Sequence, residues 1–295
     1  MLCVLAAPAR ADILYAGNRD VDTIKKFTSD GAGKVIASNG SGASRPYGLA
    51  FDSAGNLYVA NSGHNTIEKF TPGGVGSVFA STGLNGPDGL AFDSAGNLYV
   101  SSISINTIEK FTPGGVGSVF ASTGLNSPAG LAFDSAGNLY AANEGNDTIE
   151  KITPSGVGSV FATGLHDPTG LAFDAAGNLY ASNQGSNVAV IQEFTPGGVG
   201  SVFATIGNGL WEPYCLAFDS AGNLYAGELF FGTIEKITSG GVRSVFGSSS
   251  GTYGLAFTND AGVPLPLANG YPAPEPAGAA LLGLGALLLA ARRRP

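Results

Sequence analysis

The chain has 295 residues and a net charge of −8, from 22 acidic and 14 basic side chains. Charged residues make up only 12% of it, about half of the ~25% usual in soluble domains, while glycine takes 46 positions and hydrophobic residues 44%. This composition excludes a long charged helical bundle and a disordered chain, because it offers enough apolar surface for a core. The acidic balance makes nucleic acid a poor partner. We expect a packed, turn-rich β protein.

Residues 1–11, MLCVLAAPARA, form a short apolar segment that ends in the sequence Ala-Arg-Ala. A small-x-small pattern of this kind precedes signal-peptidase cleavage, so we expect residues 1–11 to be a signal peptide, truncated because the basic n-region is missing. The alternative is an ordinary first strand. Cleavage would remove Cys3 and leave Cys215 alone, so the exported body would have no internal disulfide.

The motif GLAFD occurs six times, twice in the variant forms CLAFD and GLAFT. Its phenylalanines stand at 51, 92, 133, 173, 218 and 257, with spacings of 41, 41, 40, 45 and 39 residues. A period near 40 residues with short strands is typical of a propeller blade. Each unit reads as four strands, GLAFD, NLYVAN, TIEKF and SVFA, joined on one side by the turns DSAGN and TPGG. Their apolar residues on both faces suit a sheet packed between two others.

The repeat region begins out of phase. ILYAGN (13–18), TIKKF (23–27) and KVIAS (34–38) are the second to fourth strands of a unit that lacks its first, whereas the last unit supplies only GLAFT. We therefore predict that the last strand completes the first blade, a 3+1 closure that joins the ends of the ring. The predicted fold is all-β, a six-bladed β-propeller with four-stranded blades over residues 12–262.

The strings G-L-A-F-D-x-x-G-N-L-Y-x-x-N resemble the NHL repeat. More loosely, they are similar to the gluconolactonase-like and virginiamycin-lyase-like six-bladed propellers. The resemblance spans about residues 12–262 and implies the fold rather than an activity, because one propeller scaffold carries both enzymes and binding proteins.

A ligand site is expected on the face opposite the DSAGN and TPGG turns. Those turns hardly vary, and residues 65–85 recur unchanged as 106–126, whereas a ligand site must break the symmetry of the ring. The candidate ligand-binding residues on the variable face are Tyr47, Asn61, His64, Asn143, Asn183, Trp211, Glu212, Tyr214, Glu228 and Tyr253. Aromatic rings suit stacking against sugars, and Trp211 is the predicted anchor. The alternative is that these loops are solvated and bind nothing.

The position after the second strand, where NHL repeats commonly carry Asp, carries Asn in four units (Asn18, Asn61, Asn143 and Asn183), Ser102 in a fifth and Glu228 in the sixth. Amides weaken the case for a hard cation. In gluconolactonase-like enzymes a Glu/Asn/Asp set near the axis binds a metal, and Glu228 with Asn143 and Asn183 resembles it. Our prediction is nevertheless no metal, no cofactor and no catalytic residue, since neither histidine has an evident acid–base partner. The DSAGN aspartates are expected to form turns rather than bind calcium, and Cys215 to be a buried, inert thiol.

At the C-terminal end, residues 263–273 form a Pro-rich linker and residues 274–295 a tripartite segment. It consists of Pro274, Glu275 and Pro276, an apolar run at 277–291, and Arg292, Arg293 and Arg294. The apolar run predicts a transmembrane helix, although its rise of about 22 Å is short of a ~30 Å hydrocarbon core. The arginines would stay on the cytoplasmic side.

This arrangement resembles the PEP-CTERM sorting signal. The resemblance implies an exosortase-type processing enzyme as partner and a link to exopolysaccharide. It also implies residence at the periplasmic face of the inner membrane before processing, then in the envelope or outside the cell. The alternative is a plain membrane anchor. Together these features favour a non-enzymatic, envelope-associated binding or scaffold protein with a polysaccharide or protein ligand. The alternative function is a metal-dependent lactonase-like hydrolase or a lyase acting at the axial mouth.

Overall fold

The computed structural model describes residues 12–38, 42–185, 189–207, 212–230, 232–259, 263 and 265. These residues form 24 strands in six four-stranded antiparallel sheets. The prediction of an all-β propeller with six four-stranded blades is confirmed.

Each blade begins at the axis with its inner strand and ends with its outer strand. Blade 1 contains β24 (Thr252–Asn259), β1 (Asp12–Asn18), β2 (Thr23–Phe27) and β3 (Gly33–Ser38); blade 2 contains β4 (Pro46–Phe51), β5 (Leu57–Asn61), β6 (Thr66–Phe70) and β7 (Gly76–Ala80); blade 3 contains β8 (Pro87–Phe92), β9 (Leu98–Ser102), β10 (Thr107–Phe111) and β11 (Gly117–Ala121); blade 4 contains β12 (Pro128–Phe133), β13 (Leu139–Asn143), β14 (Thr148–Ile152) and β15 (Gly158–Thr163); blade 5 contains β16 (Pro168–Phe173), β17 (Leu179–Asn183), β18 (Ala189–Phe194) and β19 (Gly200–Gly207); blade 6 contains β20 (Pro213–Phe218), β21 (Leu224–Glu228), β22 (Thr233–Ile237) and β23 (Arg243–Ser248). Short 3-10 turns follow β1 (Arg19–Val21) and β13 (Glu144–Asn146).

The ring closes as 3+1. Strand β24 pairs antiparallel with β1, with Asp12 opposite Asn259 and Tyr15 opposite Ala256, and so becomes the inner strand of blade 1. The first and last strands of the repeat region thus share one sheet, as the phase of the repeat predicted.

Neighbouring blades pack through a tyrosine of one second strand and a phenylalanine of the next inner strand. Tyr58 meets Phe92 with ring centroids 5.0 Å apart, edge to face, and it meets Phe79 of its own blade at 4.9 Å. The contact with the next blade recurs at every interface, ending with Tyr225 against Phe257 and Tyr15 against Phe51. These pairs fill the space between blades, which explains why the strands are apolar on both faces.

The glycine of the GLAFD motif is required by the close approach of the inner strands. A Cβ at Gly89 would overlap the carbonyl oxygen of Ala129 in the next blade, and one at Gly48 would overlap that of Asp88. Blade 6 has Cys215 here, and its Sγ occupies the space left open by Gly227, where a Cβ would lie 2.6 Å from the sulfur. The thiol is buried, and burial raises its pKa well above the usual range. The predicted buried thiol is confirmed.

We call the two ends of the propeller the turn face and the mouth face. The turn face carries loops 52–56 and 71–75 and their equivalents; the mouth face carries loops 62–65 and 81–86 and their equivalents. On the turn face, Asp52 Oδ1 accepts hydrogen bonds from the backbone N–H groups of Ala54 and Asn56 at 3.0 and 2.9 Å. The aspartates of these turns therefore act as turn formers.

In four blades the same aspartate is paired with a lysine. Lys69 Nζ lies 3.6 Å from Asp52 Oδ2 and 5.1 Å from the Tyr58 ring centroid, and blades 3, 4 and 6 repeat both contacts. Blade 5 differs, because Glu193 occupies the position of the lysine, beside Asp174 and Tyr180. Burial and these two carboxylates raise the pKa of Tyr180 well above its ordinary range.

Several predicted segments fall where the structure gives no description: residues 1–11, Trp211, and everything from residue 266 onward. Among the residues that it does describe, no helix is both long and apolar enough to cross a membrane. The signal peptide, the helix at 277–291 and the sorting motif stay predictions.

Candidate functional site

A bulge near the start of the inner strands directs one residue of each blade to the axis at the mouth face. In β4 the pairing with β5 shifts register between Pro46 and Leu49, and the other inner strands have comparable irregularities. Bulges often redirect side chains next to functional sites. The residues placed there, in blade order from 1 to 6, are Tyr253, Tyr47, Asp88, Ala129, Thr169 and Tyr214.

Asp88 and Tyr214 meet across the axis. They belong to blades 3 and 6, which face each other in a six-membered ring, and the Tyr214 hydroxyl donates to Asp88 Oδ2 at 2.5 Å. Both side chains are buried. Burial raises the pKa of Asp88 to about 7, against the opposing effect of this hydrogen bond, and it raises the pKa of Tyr214 well above the ordinary value.

Three tyrosines form a cluster on one side of this bridge. The Tyr253 ring centroid lies 4.6 Å from that of Tyr47 and 4.5 Å from that of Tyr214. The Arg19 guanidinium covers the cluster, 4.9 Å from the Tyr253 centroid and 5.5 Å from that of Tyr47, and donates a hydrogen bond to the Tyr253 hydroxyl. Burial raises the pKa of Tyr47 to about 12. The structure thus brings together three of the four predicted aromatic residues, and Arg19 adds a cation to them.

The opposite side of the mouth is acidic. Burial and the nearby charge of Asp167 raise the pKa of both Glu144 and Glu212. Glu144 in turn contributes to the raised pKa of Asp88. The mouth therefore has an aromatic side in blades 1 and 2, where Arg19 lies near Asp20 and Asp22, and an anionic side in blades 4 to 6.

Beneath these side chains, a small cavity lies on the axis and is lined by inner-strand residues. Leu49, Leu90, Leu131, Leu171, Leu216 and Leu255 line it together with glycines of the same strands, and Asp88, Tyr214 and Tyr253 bound it towards the mouth. The bridge between Asp88 and Tyr214 spans the axis within it, so the mouth is shallow.

The predicted asparagines hold loops of the mouth face through hydrogen bonds to the backbone. Asn143 Oδ1 accepts the backbone N–H of Asn126 at 3.1 Å, and its Nδ2 donates to the carbonyl of Gly124 at 2.9 Å. Asn61 bonds in the same way to Ser44 and Gly42. Each amide thus holds the loop that leads into its own blade.

Asn183 follows this pattern in part, accepting the backbone N–H of His166 and donating to Gln192 Oε1 at 3.3 Å. Glu228, the counterpart in blade 6, is fully buried, and its Oε2 accepts the Thr233 hydroxyl at 2.6 Å. Its Oε1 has no hydrogen-bond partner, and burial raises its pKa to about 7. In blade 3 the counterpart is Ser102, whose hydroxyl and that of Thr107 opposite are buried without a partner.

No group of three His, Cys, Asp or Glu side chains within the described ranges is arranged to hold a metal ion. Asn143 and Asn183, the amides of the predicted Glu/Asn set, use their polar atoms on the backbone and on Gln192. His64 is exposed in the loop after β5. Glu212 lies half-buried before β20.

Two residues at the mouth were missed by the sequence prediction. Arg19 follows Asn18, and the residue at the equivalent position of the other units is either uncharged or glutamate. The signal was therefore one basic residue at a repeat position that is otherwise neutral or acidic. Phe230, in the loop after β21, is 72% exposed, the highest value among the exposed large hydrophobic side chains described. Its signal was the pair Phe-Phe at 230 and 231, because no equivalent loop of the other repeats contains Phe, Tyr or Trp. Asp88 was placed on this face but was not among the candidates for ligand binding.

The fold is that of known six-bladed propellers. No protein-family model and no curated protein sequence matches the chain. A chain of the nidogen/laminin complex is similar in structure, with 22% identity and a TM-score of 0.72, over 84% of this chain and 98% of that one. A gluconolactonase from Xanthomonas campestris shares 17% identity with a TM-score of 0.63, over 87% and 97%. Virginiamycin B lyase from Staphylococcus aureus shares 16% with a TM-score of 0.62, over 79% and 80%. At these identities the similarity establishes the fold alone.

Proposed function

We propose that this chain is an exported, non-enzymatic propeller that binds polysaccharide at its mouth face. The observation that carries the proposal is the hydrogen-bonded bridge across the axis at the mouth face. Asp88 and Tyr214 form this bridge, so the mouth offers a shallow surface with aromatic and charged groups. A surface of this kind suits a chain-like ligand lying across it better than a small substrate enclosed for chemistry.

The side chains at the mouth match the chemistry of acidic sugars. The exposed Phe230 ring and the half-buried Tyr47 ring supply apolar planes for sugar rings. Arg19, held over Tyr47 and Tyr253, supplies a guanidinium that binds carboxylates through paired N–H groups. A polysaccharide with uronate or similar acidic groups is therefore the preferred ligand, and it would lie across blades 6, 1 and 2, between Phe230 and Arg19.

The location of the protein forms part of the same proposal. Residues 1–11 direct export, and the segment 274–295 holds the protein at the periplasmic face of the inner membrane until an exosortase-type enzyme processes it. The motif Pro-Glu-Pro, the apolar run and the terminal arginines support this reading. Mass spectrometry of protein from its native host tests it. Mature protein that lacks the residues after Pro276 supports processing, and an intact C-terminus in the inner membrane indicates a plain anchor.

The enzymes among the structural neighbours favour a second candidate, a metal-dependent lactonase-like hydrolase or a lyase. Glu228 would be its acidic residue, because it is buried with one carboxylate oxygen unpaired. Elemental analysis of the purified protein, together with a lactone-hydrolysis assay, separates the two candidates. A stoichiometric metal and hydrolysis that depends on Glu228 would favour the enzyme.

Binding is tested by titrating acidic and neutral polysaccharides into the full chain and into three variants. Phe230→Ala and Arg19→Ala should each weaken binding of the acidic polymer, whereas Val116→Ala, an exposed apolar change on the opposite face, should leave it unchanged. Melting temperatures confirm that Phe230→Ala remains folded, since its side chain is exposed. Equal affinities for all four proteins, or no binding to any polysaccharide, would contradict the proposal.

A further inference from the structure

The turn face carries one exposed valine in each of five blades. Each valine ends the turn between the third and fourth strands, in a TPGG-type sequence without charge. The five are Val75, Val116, Val157, Val199 and Val242, with 63–71% of the side chain exposed. Single exposed valines are ordinary, but equivalent positions in a ring bring these five to one level on one face. We call them the valine ring.

Four of the five valines in the valine ring are held in place by the neighbouring blades. A Cβ added to Gly115, in the turn before Val116, would lie 3.0 Å from the carbonyl oxygen of Phe79 in blade 2. Gly156 has the same relation to Phe120, at 2.8 Å. The turns of blades 3 to 6 thus rest against the outer strand of the preceding blade, whereas a Cβ at Gly74, before Val75, would meet nothing within 4 Å.

Charge makes the turn face the better side to approach an anionic surface. In four blades its aspartates are neutralised by lysines 3.4–3.6 Å away. The exceptions are Asp174 with Glu193 in blade 5 and Asp30 in the turn of blade 1. On the mouth face, by contrast, the carboxylates of Glu144, Asp167 and Glu212 repel one another. A flat anionic surface would meet the whole of a face at once, so the carboxylates of blades 4 to 6 would repel it from the mouth face more strongly than the turn face would. A single acidic chain, by contrast, can lie along Arg19 and avoid them.

The chain also leaves the propeller from the turn face. After β24 ends at Asn259, the Val263 N–H donates to Asn259 Oδ1 at 2.9 Å and the Leu265 N–H donates to the Phe257 carbonyl at 3.2 Å. Leu265 packs against the core between blades 6 and 1. Eleven residues then precede the apolar run at 277–291, and fully extended they reach no more than about 40 Å.

We propose that the turn face docks on a lipid bilayer. The valine ring enters the headgroup region, and the mouth face points away from the membrane. Two independent features place the bilayer on this side: the apolar, charge-compensated rim, and the exit of the chain towards an apolar segment followed by three arginines. The inference rests on the membrane anchoring in the proposed function and adds the orientation, which leaves the polysaccharide surface accessible.

The test uses the full chain with Cys3→Ser, so that buried Cys215 is the remaining native thiol. An environment-sensitive fluorophore is attached through Val116→Cys on the turn face or through His64→Cys on the mouth face, and the proteins are reconstituted with phosphatidylethanolamine–phosphatidylglycerol vesicles. At position 116 the emission should shift to the blue and be quenched by nitroxide-labelled lipid. At position 64 neither should occur.

A second pair of variants separates docking from anchoring. Val157→Asp combined with Val199→Asp should abolish quenching at position 116, whereas Val119→Asp, an exposed valine of an outer strand, should not. Protein that sediments with vesicles but shows no quenching at position 116 would overturn the docking and leave the anchor intact. Protein that does not sediment with vesicles would overturn the membrane anchor and the docking that rests on it. That result would not affect the proposal of polysaccharide binding. Loss of a dimer in the double variant, with unchanged vesicle contact, would assign the ring to a second copy.

Discussion

Strand β24 should be indispensable to the whole ring. A chain that ends at Gly251 keeps 23 of the 24 strands, yet it loses the inner strand of blade 1 and with it the contacts of β24 to blades 6 and 2. A chain that ends at Leu265 is the matched control, because it lacks the same C-terminal segment but keeps β24.

The structure gives the size of the effect. Tyr253, Leu255 and Phe257 are between 7% and 9% exposed, and burying one such side chain is worth roughly 1.5–3 kcal/mol, so the three contribute about 5–9 kcal/mol. The ladder with β1 adds seven residue pairs, with a net gain of about 0.5–1.5 kcal/mol per hydrogen bond. Domains of this kind are stable by about 5–15 kcal/mol in total. Removing β24 therefore removes most of the stability of the ring.

Circular dichroism and calorimetry provide the assay. The control should unfold in one cooperative transition, and the shorter chain should show a broad transition at lower temperature and aggregate through the exposed edge of β1. Adding a peptide of residues 252–265 should restore part of the lost melting temperature. A shorter chain that melts cooperatively within about 3 °C of the control would refute the closure argument.

Three further substitutions test individual contacts. Glu193→Lys should rebuild the ion pair with Asp174 that four other blades have and raise stability by about 1 kcal/mol at low salt; an equal gain in high salt would show that charge is not the cause. Ser102→Asn should supply the loop anchor that blade 3 lacks and satisfy Thr107, raising stability by about 1 kcal/mol, and a lower melting temperature would contradict this. Glu228→Gln removes a carboxyl group whose folded pKa, about 7, lies above its ordinary 4.5. The native protein should therefore lose stability relative to the variant as pH rises from 4.5 to 7, by about 3 kcal/mol, and the difference should vanish below pH 4.5. Urea titrations of both proteins across this pH range measure the difference in unfolding free energy. Glu235 and Arg243, the charges near Glu228, are left unchanged in both.

The fold could be predicted from the sequence because the signals for strands and turns lie within each repeat unit. Each GLAFD, NLYVAN, TIEKF and SVFA string carries its own turn chemistry and apolar pattern, and the phase of the first and last strings dictated the closure. The strand starts were less accurate, since the inner strands begin two residues early, at Pro46 and its equivalents. The bulge that follows depends on contact with the neighbouring blade, which a single repeat unit does not reveal.

The candidate site was harder to predict because its contacts are long-range. Asp88 and Tyr214 are 126 residues apart and meet only once the ring has closed. Arg19 lies beside Tyr253 only because β24 and β1 share a sheet. The asparagines were selected by their position in the repeat, but their role as loop anchors depends on backbone groups 17 and 19 residues earlier, which residue type alone does not indicate.

The hydrogen bond between Tyr214 and Asp88 also depends on the number of blades in the ring. Blades 2 and 3 share 21 identical residues, so a folding chain can confuse one with the other, and a ring that skipped a blade would keep most of its local contacts. Only an even-membered ring has a blade directly opposite another, and only with six blades does blade 3 face blade 6. A misassembled ring would leave the Asp88 carboxyl group buried without its donor, at a free-energy cost of about 1–3 kcal/mol. The pair thus favours the six-bladed ring over rings in which one of the nearly identical repeats is skipped.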